Sequence, residues 1–318
     1  MGAETTYPLR ALSGRRAAHV LAVWGLVDLL PGARLSFTDQ DVPVLWWDGA
    51  DLAGTAAAGL VGRTWDLDHG PLRGVSTTTP ARSVVNPLTE QAWGQVPATG
   101  LYGHRDPLAV FDVSRAAKRS GTVADLQVGA STLTLLSGRS HAPGTVRATW
   151  TCLDAKDRQT AYREARRSLE HLRYGVLDVA LAKPGLRFSA TLAQPRGVSG
   201  SERCAVHPLI DLLAWVGQTL LLPRQRSVPA PGRPGVSALS WVLNPVPLPL
   251  EVLLDLHESP PAGLPWPRWT ARIQTLGGST RVTALGTAHP DTPGGPGGPV
   301  LPSRWRPPSH TSLNKETL

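Results

Sequence analysis

One apolar stretch in the second half of the chain predicts a buried helix. Between Pro208 and Leu222 the leucine and valine residues recur at the three- and four-residue spacing of a helix. Pro208 suits the first helical position, and the pair Leu222–Pro223 ends the helix. Several polar side chains interrupt the run, so it is too polar for a membrane span. The rest of the fold must therefore supply a core that covers this helix.

The residues after this helix predict further elements. Ala238–Leu243 alternates and is rich in strand-forming residues, which predicts a strand. Pro249 suits the start of a helix that runs from Leu250 to His257. Trp269–Leu276 and Arg281–Leu285 are separated by a short segment that contains Gly277-Gly278, which is typical of a β-hairpin.

The N-terminal third predicts a helix, a hairpin and a second helix. Ser13 can cap a helix from about Arg15 to Leu30, which is apolar over most of its surface and should be buried. Arg34–Thr38 alternates like a strand, and Val42–Trp47 is predicted to be its hairpin partner. Asp51–Val61 is rich in alanine and predicts a helix. His19 lies on the first helix, where a core position is more common than a ligand role.

The middle of the chain predicts a mixture of helices and strands. Val110–Gly121 is interpreted as a helix, whereas Ser131–Leu136, Thr145–Leu153 and Leu186–Leu192 are interpreted as strands. Asp157–Tyr174 is a clear exposed helix with arginines along its length, and the glycine after it suits a helix end.

Together these elements predict an α+β fold, with a mainly antiparallel sheet and flanking helices. The 318 residues and 41% hydrophobic content suffice for a sizeable core. Residues 1–138 form an N-terminal α+β lobe in this interpretation, and residues 139–286 form a basic C-terminal α+β lobe. Residues 287–318 are rich in proline, glycine and serine without periodicity, which predicts a disordered tail.

The positive charge of the chain is concentrated in one region. The net charge is +8, and residues 139–226 alone carry fourteen basic and seven acidic side chains. A regional excess of this kind is expected where one face contacts phosphate groups, although a solvated arginine-rich surface has the same composition. The arginines expected to neutralise backbone phosphates are Arg139, Arg163, Arg166, Arg167, Arg224 and Arg226. Tyr102 or Trp241 could stack on a base, with a core position as the alternative for Trp241.

No sequence motif indicates an enzymatic reaction. The chain contains no phosphate-binding loop, dinucleotide fingerprint, nucleophile elbow or zinc-protease motif, and its two cysteines form no metal-binding pattern. We therefore expect no catalytic residue, cofactor or metal. A metal-independent ribonuclease that uses His104 or His141 is an alternative. The N-terminus lacks a signal peptide, so a soluble, cytoplasmic protein without membrane contact is expected.

Three segments resemble a known family. RRAAHVLAVWGLVDLL followed by RLSF, then STLTLLSGRS, and finally HPLIDLLAWVGQTLLLP followed by SALSWVLNPVPLPLEVLLDL are similar to segments of small type I-G (formerly I-U) CRISPR-associated proteins. They occur in the same order and cover roughly a third of the chain. The long C-terminal tail is not part of that pattern.

The resemblance implies a non-enzymatic subunit or accessory of a CRISPR effector complex. Its partners would be CRISPR RNA, target DNA or both, together with other Cas subunits, and Ser137–His141 would be the RNA-contact loop. No catalytic residue is carried over from the family. A third hypothesis is a pure protein-interaction module that uses the apolar helices and the Pro223–Pro234 loop.

Overall fold

Helices and antiparallel strands make up the fold, for which we have a computed structural model. It describes residues 5–65, 111–115, 126–130, 142–182, 204–221, 228–230, 233–276 and 282–291. The helices are α1 (Ala17–Leu29), α2 (Leu52–Thr64), α3 (Ala142–Thr151), α4 (Arg158–Arg173), α5 (Pro208–Thr219) and α6 (Leu250–Glu258). The strands are β1 (Thr5–Pro8), β2 (Arg34–Phe37), β3 (Pro43–Trp47), β4 (Phe111–Arg115), β5 (Leu126–Ala130), β6 (Ala180–Ala182), β7 (Cys204–Val206), β8 (Val228–Ala230), β9 (Arg233–Val242), β10 (Leu248–Pro249), β11 (Arg268–Leu276) and β12 (Val282–Pro290).

The strands form two four-stranded sheets and two short strand pairs within the described residues. One sheet has the order β1-β3-β2-β10 and the other has the order β12-β11-β9-β8, while β4 pairs with β5 and β6 pairs with β7. Each of these pairings is antiparallel. With helices packed beside the sheets, this confirms the predicted α+β class, and both predicted hairpins are confirmed as β2–β3 and β11–β12.

Helices α1 and α5 pack together at the centre of the core. Every residue of α1 except Asp28 is buried, as expected for a helix that is apolar on all sides. At the crossing, Gly25 of α1 faces Gly217 of α5. A Cβ atom on Gly25 would collide with the carbonyl oxygen of Leu213, and one on Gly217 would collide with that of Leu21. Only glycine permits this contact between two helix backbones.

Strand pairing and hydrogen bonds join the C-terminal half of the chain to the N-terminal sheet. Strand β10 pairs with β2, and the Phe37 N–H donates to the carbonyl oxygen of Asn244 at 2.8 Å. The Asn244 side chain donates to the Leu35 carbonyl at 2.6 Å, and the Trp241 indole donates to the Gly14 carbonyl at 2.7 Å. One core therefore draws residues from both sides of the predicted lobe boundary. The boundary itself, at residues 138 and 139, lies outside the described residues.

Two predicted elements have the wrong type. Residues 111–115 were predicted within a helix, but they form β4, because Phe-Asp-Val-Ser-Arg also alternates at the two-residue period of a strand. Thr145–Leu153 was predicted as a strand, but most of it lies in α3. The buried side chains there are Val146, Thr149, Trp150 and Leu153, which is the spacing of one helix face.

Other differences concern the ends of elements. Ser13 does not cap α1: its hydroxyl accepts from the Arg15 N–H at 3.2 Å, and the helix begins after Arg16 without a side-chain cap. The disordered tail is predicted to start at residue 287, but β12 extends to Pro290 and pairs with β11 there. The predicted strands at 131–136 and 186–192, and residues 292–318, lie outside the described residues.

His19 is a core histidine, as its apolar helix suggested. The ring is buried, and its Nδ1 accepts a hydrogen bond from the Ser13 N–H at 3.0 Å. Burial, with a smaller contribution from the Arg16 charge, lowers the pKa of His19 from 6.5 to about 3. The ring is therefore neutral at neutral pH and acts as an acceptor that holds the turn before α1.

The glycine crossing gives a first prediction. Gly217→Ala should lower the free energy of unfolding by about 3 kcal/mol, because the added methyl group meets backbone atoms of α1 that cannot move aside. Gly62→Ala in α2 is the matched control, since an added Cβ there meets nothing within 4 Å. That control should raise stability by up to about 1 kcal/mol. Urea unfolding of both variants measures these changes. Equal changes in the free energy of unfolding for the two variants would contradict the close backbone contact at the crossing.

His19 gives a second prediction, on pH. Between pH 6.5 and about 3 the unfolded chain binds a proton at His19 and the folded protein does not. As the pH is lowered through that range, the free energy of unfolding should therefore fall by about 1.4 kcal/mol for each pH unit from this group alone. His19→Asn keeps an acceptor for the Ser13 N–H and does not titrate. Its stability relative to the original protein should improve steadily below pH 6.5, whereas a constant difference would contradict the assignment.

Candidate functional site

Helix α4 carries the largest group of described arginines. Asp157 caps it by accepting from the Thr160 N–H at 2.7 Å, and Gly175, with φ +81°, ends it. One face of the helix is buried and packs against α2. The buried residues are Ala161, Ala165, Ser168, Leu169 and Leu172. The opposite face is exposed and available for contact with a partner.

Four exposed arginines form what we call the basic face. They are Arg163, Arg166, Arg167 and Arg173. At 3.6 residues per turn they lie within an arc of about 120°, and they extend over about 15 Å of the helix. The structure thus brings together three of the predicted phosphate-binding residues, Arg163, Arg166 and Arg167, on one surface with Arg173.

Two arginines of the basic face form ion pairs. Arg166 lies between two carboxylates: its Nη2 is 3.3 Å from Asp51 Oδ2 at the start of α2, and its Nε is 3.5 Å from Glu170 Oε1. Arg167 Nη2 is 2.8 Å from Glu164 Oε2. All of these groups are partly exposed, so each pair contributes little to stability, but each neutralises part of the positive potential.

The other two arginines of the basic face contact no carboxylate within the described ranges. Arg163 donates to the Thr160 hydroxyl at 3.4 Å. The guanidinium carbon of Arg173 lies 5.0 Å from the centre of the Tyr7 ring in a cation–π contact, and the residue is exposed. Arg163 and Arg173 are therefore the arginines of this face that can bind a phosphate without first breaking an ion pair.

A cleft of about 530 Å³ lies beside the C-terminal end of α4. Its walls come from β1, the first residues of α2 and the last turn of α4. Tyr7 and Arg173 line one part, and Asp51 and Glu170 supply carboxylates. Tyr174 lies at the rim and is 77% exposed. Its size falls in the range of small-molecule sites, and its lining combines aromatic rings, carboxylates and a guanidinium group.

Hydrogen bonds around Asp178 hold the chain after α4. His171 Nδ1 is 3.1 Å from Asp178 Oδ1, and His207 Nδ1 is 3.2 Å from the Asp178 carbonyl oxygen. Burial alone would raise the pKa of Asp178, but the neighbouring Ser168 hydroxyl and the His171 ring outweigh it and lower that pKa. This network links the last turn of α4 to His207, the residue before α5.

Of the remaining predicted residues, the structure describes only Trp241, and Trp241 does not join this surface. Trp241 is 1% exposed and belongs to the core, so stacking of a base on its ring is excluded. The other predicted arginines and the histidines of the ribonuclease alternative lie outside the described residues, as does the predicted stacking tyrosine. They are Arg139, Arg224, Arg226, His104, His141 and Tyr102.

Within the described ranges, no group of three or more histidine, cysteine, aspartate or glutamate side chains is arranged to hold a metal ion. None of the helices in that part of the chain is long and apolar enough to cross a membrane. Sequence reasoning missed Tyr174, Tyr7 and Asp51 as site residues. The aromatic residue next to the terminal glycine of an arginine-rich helix was a signal for Tyr174 alone.

Comparisons with known proteins add no family to this description. No protein-family model, no curated protein and no solved structure matches the chain significantly.

Proposed function

We propose that the protein is a non-catalytic nucleic-acid-binding subunit or accessory of a type I CRISPR interference complex in antiviral defence. The observation that carries the nucleic-acid part is the basic face of α4, where Arg163 and Arg173 contact no carboxylate among the described residues. The CRISPR part is supported by the order of the three segments that resemble small type I-G proteins. The partners would be CRISPR RNA or target DNA and other Cas subunits.

The charge distribution favours contact with a phosphate backbone. Arg163 and Arg173 lie near the two ends of the basic face, about 15 Å apart along the helix. Two cations at that separation can contact separate phosphates of one strand, and each contact releases a condensed counterion. Arg166 and Arg167 must first release a carboxylate before they bind a phosphate, so each of them contributes less to the affinity than Arg163 or Arg173 does.

A protein-interaction role is the second candidate, and one observation favours it. Tyr174, Val176, Val179 and Leu181 are all exposed along one short segment after α4. The apolar helices themselves, which sequence reasoning had considered for this role, are unsuitable because α1 and α5 are buried in the core. A pure interaction module would show no affinity for nucleic acid at physiological salt.

The basic face gives a third prediction. The double variant Arg163→Ala/Arg173→Ala should weaken binding of single-stranded RNA and reduce the slope of log affinity against log salt by about 1.4, since each phosphate contact on a single strand contributes about 0.7. The control Arg15→Ala/Arg16→Ala removes the same formal charge from the start of α1, where Arg15 is paired with Asp41. Fluorescence anisotropy between about 50 and 200 mM salt measures both. An unchanged slope in the α4 variant would refute the assignment.

The proposed complex gives a fourth prediction. Native purification of the tagged protein from its own host should recover Cas subunits together with short RNAs of repeat–spacer form, identified by sequencing. The Arg163→Ala/Arg173→Ala variant should recover less RNA for the same amount of protein. Recovery of the protein without RNA and without Cas subunits would remove the CRISPR proposal and leave the basic face to be explained by another anionic partner.

A further inference from the structure

The cleft at the end of α4 adjoins the basic face and differs from it in chemistry. Arg173 belongs to both surfaces, but the cleft also contains the carboxylates of Asp51 and Glu170 and the exposed ring of Tyr174. We propose that the cleft binds one unstacked base of the strand that the basic face holds, and that it prefers guanine. This inference rests on the proposed nucleic-acid binding and names the part of the strand that is read.

Tyr174 provides the surface on which a base can stack. Its side chain is 77% exposed although it lines the cleft, so its ring is not covered by the rest of the described structure. Its position is fixed from both sides, since the Tyr174 N–H donates to the His171 carbonyl at 3.0 Å and Gly175 turns the chain immediately after it. An exposed aromatic ring on a fixed backbone is the usual platform for single-stranded nucleic acid.

Glu170 determines which base edge the cleft accepts. Asp51 caps α2, because its Oδ1 accepts from the Gly54 N–H at 2.9 Å, and its Oδ2 lies 3.3 Å from Arg166 Nη2. Glu170 is therefore the carboxylate of the cleft that can meet a base, and it can only accept hydrogen bonds when ionised. The Watson–Crick edge of guanine presents two adjacent N–H donors, N1–H and the 2-amino group, which match the two oxygens of one carboxylate. Uracil presents one donor between two carbonyl acceptors, and those acceptors are repelled by a carboxylate. The cleft therefore discriminates guanine from uracil by charge as well as by hydrogen bonding.

Arg166 acts as a positioning residue for this recognition. Its guanidinium group reaches Asp51 at 3.3 Å and Glu170 at 3.5 Å, and so it joins the start of α2 to the last turns of α4. Its charge also offsets the two carboxylates beside a polyanionic ligand. Arg163 and Arg173 are left to bind phosphates, so these cations hold the backbone while Glu170 contacts the base.

The test compares oligouridines that are identical except at one central position. That position is guanosine, inosine, which lacks the 2-amino group, or uridine. The guanosine strand should bind about fivefold more tightly than the uridine strand, with inosine between them. Glu170→Gln should abolish this preference without weakening the uridine strand, whereas the control Glu251→Gln, an exposed acid on α6, should preserve it. Tyr174→Ala should weaken the guanosine strand about fivefold, and Tyr174→Phe should not.

The outcomes separate this inference from the proposed function. Equal binding of the three strands, with salt dependence that still requires Arg163 and Arg173, would overturn the cleft proposal and leave the basic face intact. Free guanosine monophosphate is the second probe. If it binds in a manner that needs Tyr174 and Glu170 while no strand binds, the base site stands as a free-nucleotide site and the nucleic-acid function fails. If neither probe binds, both proposals are overturned.

Discussion

The contact between Gly25 and Gly217 is the constraint on which the rest of the structure depends. Because neither helix has a side chain at the crossing, α1 and α5 approach until their backbones touch, and both become buried on nearly every side. A central helix pair of this kind must be covered all round. Helices α2 and α6 and strand β12 contact α1, while helices α2, α3 and α4 contact α5. The ring of His257 on α6 packs edge-on against Trp24 at 5.9 Å between centroids. The crossing therefore sets the positions of elements from both halves of the sequence.

The candidate site is a consequence of this packing at the surface. Helix α2 packs beside the central pair, and α4 packs on α2. The buried face of α4 includes the small side chains of Ala161 and Ala165. The same arrangement places Asp51, the cap of α2, within reach of Arg166 on α4. The Ala11 N–H donates to the Leu172 carbonyl at 3.1 Å and holds the strand β1 region against the end of α4. A cleft lined by three distant parts of the chain is the result.

Local patterns were sufficient for the long elements and insufficient for the short ones. The helices at Ala17–Leu29, Arg158–Arg173 and Pro208–Thr219 repeat their apolar or charged pattern over several turns, so periodicity alone predicted them. Phe111–Arg115 has only five residues, too few to separate a two-residue period from a helical one. The arginines of α4 could be read from the sequence, and so could their pairs with Glu164 and Glu170, which lie three and four residues away on the same helix. The second carboxylate beside Arg166 could not, because Asp51 is distant in sequence and reaches α4 only through the packing of α2.

The ion pairs of the basic face also bear on how selective the proposed binding can be. A face of four unneutralised arginines would bind any polyanion, because counterion release is independent of sequence. The pairs of Arg166 and Arg167 with carboxylates reduce that general affinity. When the non-specific part of the binding free energy is smaller, a modest preference for one base makes up a larger share of the total. Specificity is the difference between the affinities for two bases, so it does not shrink with the non-specific part. Partial neutralisation next to an exposed Tyr174 is thus the arrangement expected of a surface that holds a strand loosely and distinguishes one position along it.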